Sequence, residues 1–171
     1  MSAPKEEYKP SDVRVKDVSW TERRKAISDS MPPGVEEMVM VGHDGRVTEG
    51  LSSNVALVVD GKVYTAGADK VLSGTIREIL LEVCREHDIE VVYESVPVET
   101  ARRADVELLI MSTSRLVLSV EKLIIPGEFV ESDDVVVVEH PLDSSLVSSL
   151  KAWVKGKVEV DSFPLDDYEE I

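Results

Sequence analysis

One amphipathic stripe constrains this chain more than any other feature. Ile76, Ile79, Leu80, Val83 and Cys84 recur at i, i+3, i+4, i+7 and i+8, directly after Gly74. That spacing predicts a helix with a single apolar face, which needs a sheet or another helix to cover it. Strand-like runs lie on both sides. Met38–Val41 leads into His43-Asp44-Gly45, which reads as a type I′ hairpin turn, and Arg46–Glu49 returns from it. Asn54–Val59 is a further strand, turned by Asp60-Gly61 into Lys62–Thr65. Beyond the helix, Ile89–Tyr93 and Val106–Met111 read as strands, the latter buried, with a short helix at Val98–Ala104 between them. Leu116–Ile125, Asp134–Glu139 and Lys155–Val160 are expected to add β structure. A last helix aligns Leu146, Val147, Leu150, Trp153 and Val154. An opening helix carries Trp20, Arg23, Arg24, Ile27 and Met31 and stops at Pro32-Pro33-Gly34. Helices and strands alternate without regular βαβ spacing. The expected fold is therefore α+β, a mixed or antiparallel barrel-like sheet flanked by helices.

Charge and residue usage exclude several functions. With 19 Lys+Arg against 34 Asp+Glu the formal net charge is −15, a surface that repels nucleic acid and anionic lipid. No apolar run is long enough to span a bilayer, and the first ten residues are polar. The lone Cys84 cannot form an internal disulfide and fits a reducing, cytoplasmic compartment; on the helical stripe it reads as a buried small hydrophobe. His43, His87 and His140 form no ligand-spaced cluster, so no metal site is expected.

The residues suited to chemistry fall in four places. Lys16 precedes the opening helix; Glu49-Gly50 and Asn54 follow the first hairpin; Leu72-Ser73-Gly74-Thr75-Ile76-Arg77 opens the amphipathic helix; Ser112-Thr113-Ser114-Arg115 closes the buried strand. A helix N-terminus offers unpaired N–H groups and a positive dipole end, which suit a phosphate. Gly74 allows close approach, with the amides of Thr75 and Ile76 as donors and the hydroxyls of Thr113 and Ser114 to complete a cradle. A carboxylate keeps a pyridine nitrogen protonated, and a lysine of lowered pKa forms a Schiff base and shuttles protons.

In that order and spacing the segments resemble the fold-type IV pyridoxal phosphate enzymes, the class IV aminotransferases. Their pattern runs from a lysine before a helix, through Glu-Gly-x-x-x-Asn and Leu-x-Gly-Ile-Thr-Arg, to a Ser/Thr-rich turn. The resemblance covers roughly residues 13–125. It implies pyridoxal 5′-phosphate as cofactor, Lys16 as the Schiff-base lysine and Glu49 on the pyridine nitrogen. The phosphate then falls to Gly74, the amides of Thr75 and Ile76, Thr113 and Ser114. This chain has Thr75-Ile76 where the family has Ile-Thr, which shifts weight onto the backbone amides. Trp20 falls close to a tyrosine position beside the cofactor; core packing and a site role both remain open for it. Arg115 stands where many members carry a small residue, either as a substrate-carboxylate ligand or as a solvated turn cap. The implied organisation is a polar arm at 1–12, a cofactor domain at 13–160 and an acidic tail at 161–171, with the family's N-terminal domain absent. The implied activity is transamination between an amino acid and a 2-oxo acid in a homodimer. A lyase of the aminodeoxychorismate type and a non-catalytic remnant serving as a binding module are the alternatives.

Overall fold

The computed structural model describes residues 25, 27–130 and 133–161. Lys25 and Ile27–Asp29 are helical, and the amides of Ser30 and Met31 donate back to the carbonyls of Ile27 and Ser28 at 3.0 and 3.1 Å. Pro32, lacking an N–H, ends the turn there. Lys16, Trp20, the arm at 1–12 and the tail from 162 onward lie outside the described residues.

Four strands follow: β1 (Val39–Val41), β2 (Val47–Gly50), β3 (Asn54–Val59) and β4 (Lys62–Tyr64). Helix α1 (Thr75–Glu86) leads to β5 (Val91–Val92), which pairs parallel with β4. A short α2 (Val98–Ala101) precedes β6 (Glu107–Ser112) and β7 (Leu116–Ser119), and β8 (Lys122–Ile125) and β9 (Val136–Glu139) form a separate two-stranded sheet. Helix α3 (Ser145–Asp161) is the last element. The seven-stranded sheet is mixed, with every pairing but β4–β5 antiparallel. This is the α+β architecture that the alternating patterns predict.

Strand β3 is the axis of the sheet. One edge takes β6 over five registered pairs, from Asn54↔Met111 to Val58↔Glu107. A strand has two edges, so β2 and β4 share the other, β2 at Asn54 and β4 along Leu57–Val59. All six residues of β3 are buried, and side chains alternate between the faces. Ala56, Val58, Leu109 and Met111 meet α1 and α3, where Ile76, Leu80, Val83, Cys84, Val147, Leu150 and Val154 complete one core. Val55, Leu57, Val59, Leu108 and Ile110 point the other way, toward Val47, Val98, Ala101, Ile125 and Val138. Each fully buried aliphatic side chain contributes about 1.5–3 kcal/mol relative to exposure. Cys84 is one of these core residues, and burial pushes its thiol up to about 11. It stays a protonated hydrophobe at neutral pH, as its place on the stripe implies.

Two local expectations are corrected. The loop at His43-Asp44-Gly45 is not type I′: that turn needs positive φ at both central residues, and here Gly45 alone has it (φ 71°). The amide of Gly45 donates to the Gly42 carbonyl at 3.0 Å and that of Gly42 to the Arg46 carbonyl at 2.8 Å, giving a three-residue loop closed by a left-handed glycine. The pair of positive values belongs to Asp60 (49°) and Gly61 (77°), at the tight turn between β3 and β4.

The second correction concerns Lys155–Val160, which is the end of α3 and not a strand. The alternation Lys157-Val158-Glu159-Val160 has period two, but as helix it sets Lys157 against α1 and Val158 against the core. Lys157 Nζ lies 2.8 Å from Glu86 Oε1 and also bonds Glu82, both on α1. Val158 packs at the core edge while Val160 is 84 % exposed. At the other end, the Ser144 hydroxyl accepts from the Val147 amide at 3.3 Å, a helix cap. The buried Glu107 carboxylate in turn accepts from the Ser144 amide (2.7 Å) and hydroxyl (2.6 Å). Gly156 lies exposed within α3, and a methyl group added there meets no atom within 4 Å. Gly156→Ala is therefore expected to raise unfolding free energy by about 0.5–1 kcal/mol, read from the denaturation midpoint at constant m-value.

Candidate active site

The site forms where β2, β3, α1 and β6 bring their ends together. Glu49 and Asn54 are cross-strand partners on β2 and β3. Both are buried, and both reach the segment that leads into α1. The Leu72 amide donates to Glu49 Oε2 at 3.2 Å, while Asn54 Nδ2 donates to the Leu72 carbonyl at 2.7 Å. One residue's N–H and C=O are thus gripped by two neighbours on the sheet. This fixes the path of Leu72-Ser73-Gly74 over the strand ends.

Gly74 is the N-cap of α1, extended at φ −92° and ψ 140°, with no side-chain cap. An ideal Cβ at this position would lie 2.0 Å from Asn54 Oδ1. Real Cβ atoms never come so close, so residue 74 must be glycine while Asn54 keeps its bond to Leu72. The helix start is therefore bare backbone, its positive dipole end facing the cleft without a side-chain oxygen supplied by the cap.

The cleft has a volume of about 230 Å³. Glu49, Gly74, Thr75, Ile76 and Thr113 all line it, with Asn54, Ser52, Ser53 and Ser112 among their neighbours. Five of the residues singled out from sequence therefore meet in one cavity. Ser114 does not line it; it is exposed, with its hydroxyl 3.2 Å from that of Ser112. Arg115 also lies off the lining and is held from behind, Nη1 3.3 Å from Glu37 Oε2 and Nη2 3.3 Å from the Glu36 carbonyl.

Three residues with no role assigned from the sequence organise this cleft. Asn54 and Arg77 belong to the quoted segments; Glu37 gave no signal. Arg77 is 1 % exposed and runs under the first turn of α1. Its Nη2 donates to the Ala66 carbonyl at 2.7 Å, Nε to Thr65 Oγ1 at 3.4 Å and Nη1 to Glu78 Oε1 at 2.8 Å. Thr65 Oγ1 passes the connection to the Val55 carbonyl of β3 at 2.9 Å. The helix start is thereby tied to the central strand by a buried guanidinium. Among the described residues no group of His, Cys, Asp and Glu is arranged to hold a metal ion. His140, the buried histidine, has Nδ1 2.8 Å from the Val106 carbonyl; burial lowers its pKa, and that hydrogen bond partly opposes the shift.

A model of the class IV amino-transferase family matches residues 2–123. The chain belongs to that family. Within it, a D-alanine aminotransferase of Staphylococcus haemolyticus is 36 % identical over 85 residues, covering 48 % of this chain and 30 % of that protein. A fold IV-transaminase from Curtobacterium pusillum superposes with a TM-score of 0.66 at 24 % identity, covering 88 % of this chain and 46 % of that one. The 4-amino-4-deoxychorismate lyase of Pseudomonas aeruginosa gives a TM-score of 0.66 at 21 % identity, covering 89 % and 50 %. The chain thus spans at most half the length of these relatives, and the shared part is the fold-type IV α+β domain. Class IV aminotransferases are pyridoxal phosphate enzymes, and the cleft fits that group. It joins a buried carboxylate, a helix N-terminus free of a side-chain cap and a glycine whose Cβ position is filled.

Gly74→Ala tests the last of these. The added methyl must displace Asn54 from Leu72 and narrow the cleft at the helix start. The expected cost is about 1–3 kcal/mol of stability. Pyridoxal phosphate affinity, followed by absorbance titration, should fall at least about tenfold as a result. Equal affinity in the variant would show that the cofactor does not approach this backbone.

Proposed function

We propose that this chain binds pyridoxal 5′-phosphate and serves amino-group transfer between an amino acid and a 2-oxo acid. The observation that carries the reading is the convergence of Glu49, Gly74, the Thr75–Ile76 segment and Thr113 on one cleft. When bound, the cofactor supplies an electron sink for negative charge developing at the substrate's α-carbon. Glu49 holds a proton on the cofactor's pyridine nitrogen, a task suited to a carboxylate that is already buried and fixed. The amides of Thr75 and Ile76, helped by the helix dipole, bind the phosphate group. Thr113, exposed on the turn after β6, donates a hydroxyl to the same group, with Ser114 beside it. Lys16 would hold the cofactor through its Nζ and would serve as the base that carries the α-carbon proton. A guanidinium has five donors; with contacts to Glu37 and Glu36 in place, Arg115 retains donors for a substrate carboxylate.

The test is to saturate the full chain with pyridoxal phosphate, reduce with borohydride and map the modified peptide by mass spectrometry. One adduct, on Lys16, is the expected outcome. Labelling spread over surface lysines, or none, would remove the basis of the proposal.

A further inference from the structure

Glu37 has no part in the site as read from the sequence, yet it touches Ser52 and Ser53 on the cleft lining and Arg115 on the turn that carries Thr113. It lies between the Pro32-Pro33-Gly34 stop and β1, and its side chain is only 8 % exposed. Ser52 Oγ and Ser53 Oγ donate to Glu37 Oε2 at 2.7 and 3.0 Å, and Arg115 Nη1 approaches the same oxygen at 3.3 Å. The Met38 amide donates to Oε1 at 3.2 Å. An ionised carboxylate accepts at about four lone-pair positions and donates at none. Four donors converging on it explain why an acid, and not an amide, occupies a place so poor in water.

The donors come from separate segments. Ser52 and Ser53 belong to the turn joining Glu49 to Asn54, which is closed by the Gly50 amide on the Ser53 carbonyl at 2.8 Å. Arg115 belongs to the turn bearing Thr113, closed by its own amide on the Ser112 carbonyl at 3.3 Å. Because Asn54 pairs with both Glu49 and Met111, the two turns lie at the same end of β2, β3 and β6. Packing at the clasp is tight: a Cβ on Gly50 would lie 3.1 Å from Glu37 Cδ and 2.2 Å from Ser53 Oγ. Directly after Arg115, Leu116 is held at φ 53°, a left-handed conformation that a leucine adopts only when its surroundings impose it.

We propose that Glu37 is a positioning residue whose carboxylate clasps the Gly50–Asn54 turn to the Ser112–Arg115 turn, fixing the spacing between Glu49 and Thr113. Its consequence for the cofactor rests on the proposed function; the clasp itself rests only on the contacts above.

The test compares Glu37→Ala and Glu37→Gln with the unmodified full chain, by hydrogen exchange and by pyridoxal phosphate titration. Glu37→Ala frees both turns. Amides at 50–53 and 112–116 should exchange at least about tenfold faster, while the β3–β6 ladder is unchanged. Pyridoxal phosphate affinity should fall at least about tenfold. Glu37→Gln separates the two walls. Serine hydroxyls can rotate to accept from the new amide, whereas Arg115 has no acceptor to offer, so faster exchange should appear at 112–116 alone. Acceleration spread evenly over the domain would show a merely structural role and overturn the proposal. So would unchanged exchange at either turn in the alanine variant, or equal cofactor affinity in a variant that remains folded. If the unmodified chain takes up no pyridoxal phosphate, the proposed function fails, and the exchange pattern decides the clasp by itself.

Discussion

Lys16→Ala is expected to yield no borohydride-fixed pyridoxal adduct, with labelled peptide reduced to the background of the untreated chain. Two surface lysines should contribute little to that background. Lys62 and Lys157 pair with carboxylates, the first through its hydrogen bond to Glu90 and the second through Glu82 and then Glu86. Both pairings raise the lysine pKa, so these amines stay protonated and poorly nucleophilic at neutral pH. They would begin to react only as pH rises above the ordinary lysine range. A site lysine suited to this chemistry behaves in the opposite way and labels near pH 7–8. Running the labelling at two pH values therefore separates a site amine from surface amines. An adduct of full yield persisting in Lys16→Ala would assign the covalent link to another lysine.

Arg77→Ala should be the most destabilising single change among those considered, at about 2–5 kcal/mol. It opens a cavity beneath α1 and leaves the Ala66 carbonyl and Thr65 hydroxyl without their guanidinium donor. Arg77→Met restores most of the volume but none of the donors, so the difference between the variants divides packing from hydrogen bonding. About 1–3 kcal/mol should remain lost in the methionine variant. Glu78 contributes little to either result because its side chain is 53 % exposed and remains solvated when its partner is removed. Urea denaturation supplies the comparison through midpoints at equal m-value. If Arg77→Met were as stable as the parent chain, the buried guanidinium would be dispensable to the fold.

What the sequence disclosed and what it withheld follow from the range of the interactions. The stripe of α1, the strand runs of β3 and β6 and the hydroxyl turn after β6 are local patterns, and each appears where its pattern predicts. Glu49, Gly74 and Thr113 could be singled out because their residue types suit a chemistry and their segments follow a family order. Glu37 could not, because its partners lie 15, 16 and 78 positions away and an acidic residue after a proline turn ordinarily marks a solvated loop. Arg77 belongs to a quoted segment, but its burial and its bonds to Thr65 and Ala66 arise from packing that no local pattern displays. The end of α3 differs from its sequence pattern for a related reason. Its alternating valines carry a strand period, whereas the contacts that mark it as helix, Val158 at the core and Lys157 on α1, are tertiary.

The register of β3 against β6 also bears on the order in which the cleft is assembled. The β3–β4 turn and α1 are close in sequence and need little loop closure, whereas pairing Asn54 with Met111 closes a long loop and is expected to form later. Until that pairing exists, Thr113 is not opposite Gly74 and the cleft has no third wall. A ligand that needs every wall of the cleft therefore has no complete site before that pairing forms. It acts by mass action on the finished domain, slowing its loss and raising its apparent stability with ligand concentration.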